Sequence, residues 1–157
     1  MIKIGMGYDV HQLAPGRPLL IGGVKVISSK GSVGHSDGDA LSHAITDAIL
    51  GAVGLGDIGL FFPSDDETWR GADSKIFLIE AMKMISDKGY VVNNVDSTVI
   101  LQSPKLQKYI PQIKTSLSKT LLIDKANINV KATTTDWLGF IGEGLGWACM
   151  AVVSVGK

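Results

Sequence analysis

Asp9 and His11 stand two residues apart in the opening run MIKIGMGYDVH. On a strand that spacing points both side chains to one face, so a carboxylate oxygen and an imidazole nitrogen can converge on one cation. His43 has Asp39 and Asp47 four residues to either side, which makes one polar stripe if the segment is helical. Two readings fit the stripe: a solvated face with i,i+4 pairs, or a metal-ligating histidine whose ring is oriented by the neighbouring carboxylates. Asp9, His11 and His43 together supply three ligands and leave a tetrahedral position open. That is the pattern of a catalytic site, where a metal acts as a Lewis acid on a substrate oxygen, rather than of a closed structural site.

Two further runs suit phosphate. GHSDGD at 34–39 precedes the segment carrying His43, and backbone N–H groups at a helix start, aided by the dipole, attract anions. His35 and Ser36 add donors. The plainer alternative is an ordinary N-cap supplied by Ser36 or Asp37. KATTTD at 131–136 sets three threonine hydroxyls beside Lys131 and Asp136, groups able to hold a diphosphate and its Mg²⁺. The alternative there is a strand end rich in β-prone threonine.

Periodicity predicts the elements that must position these residues. Strands are expected at 2–12 and 19–27, separated by Pro15-Gly16. Leu41, Ala44, Ile45, Ala48, Ile49 and Ala52 recur at helical spacing, so 38–53 is read as an amphipathic helix stopped by Gly54 and Gly56. Residues 55–72 read as a long loop. Asp73-Ser74 can cap a helix to about Lys88. A strand is expected at 90–102, then a helix opened by Ser103-Pro104 and running to about Leu122, then strands at 127–135 and 146–155. The order β-β-α-α-β-α-β-β predicts an α+β fold, a mixed α/β sandwich with one sheet of about four or more strands and helices packed on one face.

The bulk properties narrow the function classes. The 157 residues fit one domain, 1–157. With 15 basic and 15 acidic side chains, the chain lacks the basic surface that broad binding to nucleic acid or an anionic membrane requires. Cys149, the single cysteine, excludes an internal disulfide and a cysteine-based zinc site. With no long apolar run and no signal core, the expected location is cytoplasmic. The 19 glycines cluster in GHSDGD, GLGDIG and FIGEGLG, where either tight turns or close backbone approach would use them.

Taken in order, YDVH at 8–11, GHSDGDALSHAITDAILGA at 34–52, GDIG at 56–59, FP at 62–63, GADS at 71–74 and NVKATTTD at 129–136 closely resemble the 2-C-methyl-D-erythritol 2,4-cyclodiphosphate synthase family of the non-mevalonate isoprenoid pathway. The resemblance spans nearly the whole chain, without the cytidylyltransferase half fused to some members. It implies a ferredoxin-like or chorismate-mutase-like fold assembled as a homotrimer, with active sites between subunits. It also implies a cytidine diphosphate substrate, Zn²⁺ or another divalent transition metal on Asp9, His11 and His43, and Mg²⁺ or Mn²⁺ with the substrate diphosphate at Asp136. His35 and Thr134 match the positions linked to transition-state stabilisation. Substrate contacts are implied for Asp9, His11, His35, Ser36, Asp57, Ile58, Gly59, Phe62, Pro63, Asp65, Asp66, Ile100, Lys105, Leu106, Thr133, Thr134, Thr135, Asp136 and Phe140.

Four positions depart from the family pattern. Asp136 replaces a common glutamate, and Ser64 replaces an aspartate after Phe62-Pro63. In the run Phe140–Gly146, Glu143 replaces an arginine and Leu145 a glutamate. In the family that run lines an axial cavity able to hold an isoprenoid diphosphate, and three Glu143 carboxylates around an axis would repel one. Two other functions compete on the residues alone: a metal phosphohydrolase using the same triad to activate water, and a non-catalytic trimeric metal-binding protein.

Overall fold

The computed structural model describes residues 1–157. The longest strand, β1 (Ile2–Pro15), stands second from one edge of a five-stranded sheet. It pairs antiparallel with β4 (Lys30–Val33) on one side and with β7 (Gly146–Gly156) on the other. Beyond β7 lie β5 (Val91–Ile100), antiparallel, and β6 (Ile128–Thr133), parallel to β5. The helices α1 (Ala40–Ala52), α3 (Lys75–Asp87) and α4 (Ile110–Leu121) cover one face. α1 lies on β1 and β7, α3 packs on α1, and α4 packs on β6 and α3. The expected α+β class and one-sided helical layer hold, and no helix is long and apolar enough to cross a membrane.

The alternation along β1 runs opposite to the usual pattern. Its apolar side chains Ile2, Ile4, Met6, Tyr8 and Val10 are exposed on the helix-free face, joined there by Met150 and Val152 of β7. Its helix-facing side carries Gly5, Gly7, Asp9 and His11 in succession. A Cβ at Gly5 would lie 1.9 Å from the carbonyl oxygen of Ala48, and one at Gly7 1.9 Å from that of Ala44. Backbone therefore rests on backbone: the two glycines on the strand and the alanine row on the helix bring α1 down against β1. The apolar core fills in around this contact with Leu41, Ile45, Ile49, Leu78, Ile85, Ile113, Leu117 and Trp147, all essentially inaccessible to solvent.

Several predicted boundaries move. The strand expected over 19–27 is a hairpin, β2 (Leu19–Ile21) and β3 (Val24–Val26), because Gly22 and Gly23 take φ of 58° and 75°, the left-handed pair that a tight two-residue turn requires. The helix expected from Ser103-Pro104 begins at Ile110, and the proline in its first turn is Pro111. The chain bends at 102–104 and turns at 107–109 instead. The loop expected over 55–72 contains a one-turn helix, α2 (Ile58–Phe61), and a 3₁₀ turn at Glu67–Trp69. A further one-turn helix, α5 (Gly139–Gly142), precedes β7. The edge strand β4 was not expected; its register against Gln12–Pro15 is set by pairing rather than by pattern.

Asp39 corrects a second expectation. Its side chain neither lies on a solvated face nor touches the His43 ring, but is fully buried as the N-cap of α1. Its carboxylate accepts from Ser42 N and Ser42 Oγ, and from the hairpin amides Gly22 N at 2.9 Å and Gly23 N at 2.6 Å. Four donors offset the desolvation of the buried group and tie the hairpin to the start of α1.

Gly7→Ala tests the close approach. The added methyl meets backbone and cannot be relieved by a rotamer change, so α1 must move outward. Thermal and urea denaturation should show a loss of about 1–3 kcal/mol or more; an unchanged stability would mean that the strand and helix are not held at this distance.

Candidate metal centre and clefts

The first consequence of the close packing is that α1 delivers His43 onto the end of the Gly5-Gly7-Asp9-His11 row. His43 Nδ1 lies 3.0 Å from Asp9 Oδ2, and His11 Nδ1 lies 3.5 Å from the same oxygen. The two imidazole rings meet edge to face at 5.2 Å. One ligand atom from each of the three residues falls within 4.8 Å of the others. The strand-face pair and the helical histidine are thus brought together as expected.

The donor set fits a divalent ion on a specific observation. His11 Nδ1 is 2.8 Å from the Val10 carbonyl oxygen, an acceptor, so that nitrogen carries the ring proton. His11 Nε2 is left as a bare lone pair, buried and without a hydrogen-bond partner. An unsatisfied buried acceptor is costly, and a cation would satisfy it. Burial holds the His11 pKa below its ordinary value, with the nearby His43 adding to the effect against the raising influence of Asp9. Burial also pushes His43 downward, but the hydrogen bond and charge of Asp9, helped by Asp39 and Asp37, outweigh it and raise its pKa.

The other predicted residues divide between two clefts. One, about 280 Å³, is lined by the triad histidines together with His35, Ser36, Ile58, Gly59, Phe62 and Ser64. Asp57 caps α2 by accepting from Leu60 N, Pro63 follows Phe62, and Asp65 is exposed beside it. Asp66 is occupied as the cap of the 3₁₀ turn, and its hydrogen bonds with Thr68 hold its carboxyl below the usual range. The second cleft, about 320 Å³, is lined by Lys105, Leu106, Thr133 and Thr134, with Leu101, Gln102, Pro104, Gln107, Ile110 and Ala132. Ile100 ends β5 next to it. Thr134 Oγ1 lies 3.3 Å from Asp136 Oδ1; Asp136, Thr135 and the half-exposed Phe140 follow on the same segment. The two clefts share no residue, so within one chain His35 and Thr134 do not meet.

The environment of His43 differs from the sequence expectation. Asp47 does not orient its ring; it accepts from Ile58 N at 2.7 Å and so anchors α2, and burial raises its pKa. The groups on the far nitrogen, Nε2, are Ser74 Oγ at 2.8 Å and Ser36 Oγ at 3.2 Å. The sequence presents Ser74 as a helix cap and as part of the GADS run, not as a partner of His43. Sequence reasoning passed over Trp69 and Phe77, which form an aromatic wall with Phe62: ring centroids are 4.7 Å apart for Phe62–Phe77 and 5.1 Å for Phe62–Trp69. The available signal was the placement of scarce aromatics around the GADS run.

The chain matches the YgbB family over residues 2–156. It belongs to that family. Among YgbB relatives, the protein named 2-C-methyl-D-erythritol 2,4-cyclodiphosphate synthase from Shouchella clausii is 51% identical over 157 residues, covering 100% of this chain and 99% of the relative. The protein of the same name from Alkaliphilus metalliredigens is 49% identical over 99% of this chain and 98% of its own. Among solved structures, the bifunctional IspDF from Campylobacter jejuni superposes with a TM-score of 0.95 at 43% identity; the match covers 99% of this chain and 42% of that one. A CDP complex of IspF from Plasmodium falciparum superposes at 0.87 with 40% identity, covering 98% and 95%. The resemblance drawn from the motifs is thereby borne out at the level of the family.

A raised His43 pKa has a direct consequence for metal binding, because a ligating imidazole must give up its proton. The raised value keeps His43 protonated over a wider range, so apparent affinity for Zn²⁺ should begin to fall while the pH is still above 6.5 and continue falling below it. Competition with a chromophoric chelator across the pH range checks this; an affinity flat down to 6.5 would contradict the assignment of His43 as a ligand.

Proposed function

We propose that this chain converts 4-diphosphocytidyl-2-C-methyl-D-erythritol 2-phosphate to 2-C-methyl-D-erythritol 2,4-cyclodiphosphate and CMP. An oxygen of the 2-phosphate bonds to the β-phosphorus, the β-phosphorus–oxygen bond to the CMP portion breaks, and CMP carries that oxygen and its electron pair away. The observation that carries the reading is the convergence of Asp9, His43 and His11, whose Nε2 is unsatisfied, at one wall of a cleft in a YgbB-family fold.

The nucleophile is already an anion, so no strong general base is required; the difficulty is bringing two anionic phosphoryl groups together. Asp9, His11 and His43 would hold Zn²⁺, which supplies positive charge to a phosphate oxygen when bound. Asp136 would hold Mg²⁺ or Mn²⁺ through the diphosphate. His35 and Thr134 act as donors to the phosphoryl oxygens as charge develops, while Ser36, Lys105, Thr133 and Thr135 orient the anionic groups. The polyol is placed by Asp57–Gly59 and by the loop through Phe62, Pro63, Asp65 and Asp66. Ile100, Leu106 and Phe140 add apolar walls. Phe62, Trp69 and Phe77 help to exclude water that would otherwise hydrolyse the β-phosphate.

One substrate must reach both His35 and Thr134, and the two lie in separate clefts. A homotrimer in which the first cleft of one subunit faces the second cleft of its neighbour supplies the missing apposition. The bare apolar face of β1 and β7 supports that assembly, since large exposed apolar patches mark interaction sites. Light scattering should give a mass of three 16.6 kDa chains. Met6→Asp, on that face and away from the triad, should yield a folded monomer with little activity; a fully active monomer would remove the need for the neighbour.

³¹P NMR of the chain with the cytidine substrate tests the chemistry itself. Cyclic diphosphate together with CMP, abolished by EDTA and restored by divalent metal, is the expected outcome. Free inorganic phosphate would point to a hydrolase, and no turnover to a binding protein. His43→Ala should lower turnover by at least about a hundredfold, since changing even a residue behind a metal ligand costs roughly 10- to 100-fold; near-normal turnover and metal content would defeat the triad assignment.

A further inference from the structure

Ser74 occupies the N-cap position of α3 yet makes no capping hydrogen bond. Its hydroxyl is fully buried and is directed elsewhere. On one side stands Asp37, whose Oδ2 accepts from Ser74 N at 2.9 Å and whose Oδ1 accepts from Ser74 Oγ and from Asp39 N. On the other side, 2.8 Å away, stands Nε2 of His43. A serine hydroxyl has one hydrogen to donate. Asp37, a carboxylate with only acceptor oxygens, takes it, so Ser74 Oγ can meet His43 Nε2 only as an acceptor.

The hydrogen between Ser74 and His43 must then come from Nε2. That leaves Nδ1, the nitrogen 3.0 Å from Asp9 Oδ2, to present its lone pair to a bound ion. Ser36 Oγ, at 3.2 Å from Nε2, is the longer and secondary partner. The same aspartate secures the loop that bears the chain's other candidate groups: Asp37 N donates to Ala72 O, and Gly71 N donates to His35 O.

We propose that Asp37 and Ser74 are positioning residues, a buried hydrogen-bond chain that fixes His43 in the Nε2–H tautomer and aims Nδ1 at the metal position beside Asp9. The inference rests on the proposed metal triad and deepens it: the ring is oriented from α3 and the GHSDGD loop, not from the carboxylates on its own helix. Carboxylate- or hydroxyl-backed histidines bind metal more tightly because the tautomer and ring orientation are set in advance.

Two measurements on the Zn²⁺-loaded chain test it. Long-range ¹H–¹⁵N spectra of the unaltered protein should show His43 protonated at Nε2, with Nδ1 shifted by coordination. Ser74→Ala should weaken Zn²⁺ affinity by roughly 10- to 100-fold in competition with a chromophoric chelator, with the circular dichroism of the metal-free protein unchanged, and Ser74→Thr should restore most of the loss by returning the hydroxyl. Coordination through Nε2 in the unaltered protein would overturn the proposal even if no variant folds. Affinity of folded Ser74→Ala equal to that of the unaltered chain would overturn it while leaving the triad intact. Failure of the unaltered chain to bind Zn²⁺ would overturn the triad and this inference together.

Discussion

The contact on which the rest of the molecule depends is the descent of α1 onto β1 through Gly5 and Gly7. With a Cβ position only 1.9 Å from a helix carbonyl oxygen at each glycine, no other residue fits without displacing the helix. Glycine costs conformational entropy in a strand, and here the return is distance: a helix seated on bare backbone brings its own side chains to the strand's. Asp9 and His11 continue the same face of β1 beyond the glycines, and His43 lies beside Ala44 on α1. The proposed metal site is the open end of a backbone-to-backbone contact.

That geometry also accounts for the uneven character of the sheet. From Gly5 to His11 the helix-facing side of β1 is given over to glycine and candidate ligands, so that stretch contributes little apolar burial. The core is built instead from α1, α3, α4, the strands β5, β6 and β7 and the β2–β3 hairpin, and the apolar residues from Ile2 to Val10 of β1 are turned to the opposite face. A contiguous exposed apolar row of this kind marks an interaction surface, which ties the proposed assembly to the same constraint that creates the site.

Buried polar groups around the site are satisfied in pairs of elements. Asp39 joins α1 to the β2–β3 hairpin, Asp37 joins the GHSDGD loop to the start of α3, and Asp47 joins α1 to α2. Each carboxylate spends its acceptors on backbone or hydroxyl donors across a loop. Three aspartates that look alike in the sequence therefore hold three different pieces of the cleft wall, and none of their carboxylates hydrogen-bonds the His43 ring. The residue that does so from behind, Ser74, comes from a segment 31 positions away.

The sequence by itself determined the triad, the α+β class, the principal helices and strands, and the family, because strand and helix periods place residues on faces and the GHSDGD and KATTTD runs are long enough to be specific. Local boundaries were less legible: Gly22-Gly23 turned one expected strand into a hairpin, and Pro111 rather than Pro104 entered a helix, since both choices depend on what the flanking residues pack against. Only the tertiary structure decided which carboxylate serves which partner, that His35 and Thr134 occupy different clefts in one chain, and that Ser74 backs His43. Periodicity carries the direction of a side chain relative to its own element. The partner it meets is set by how closely the elements approach, and here two glycines on one strand set that distance.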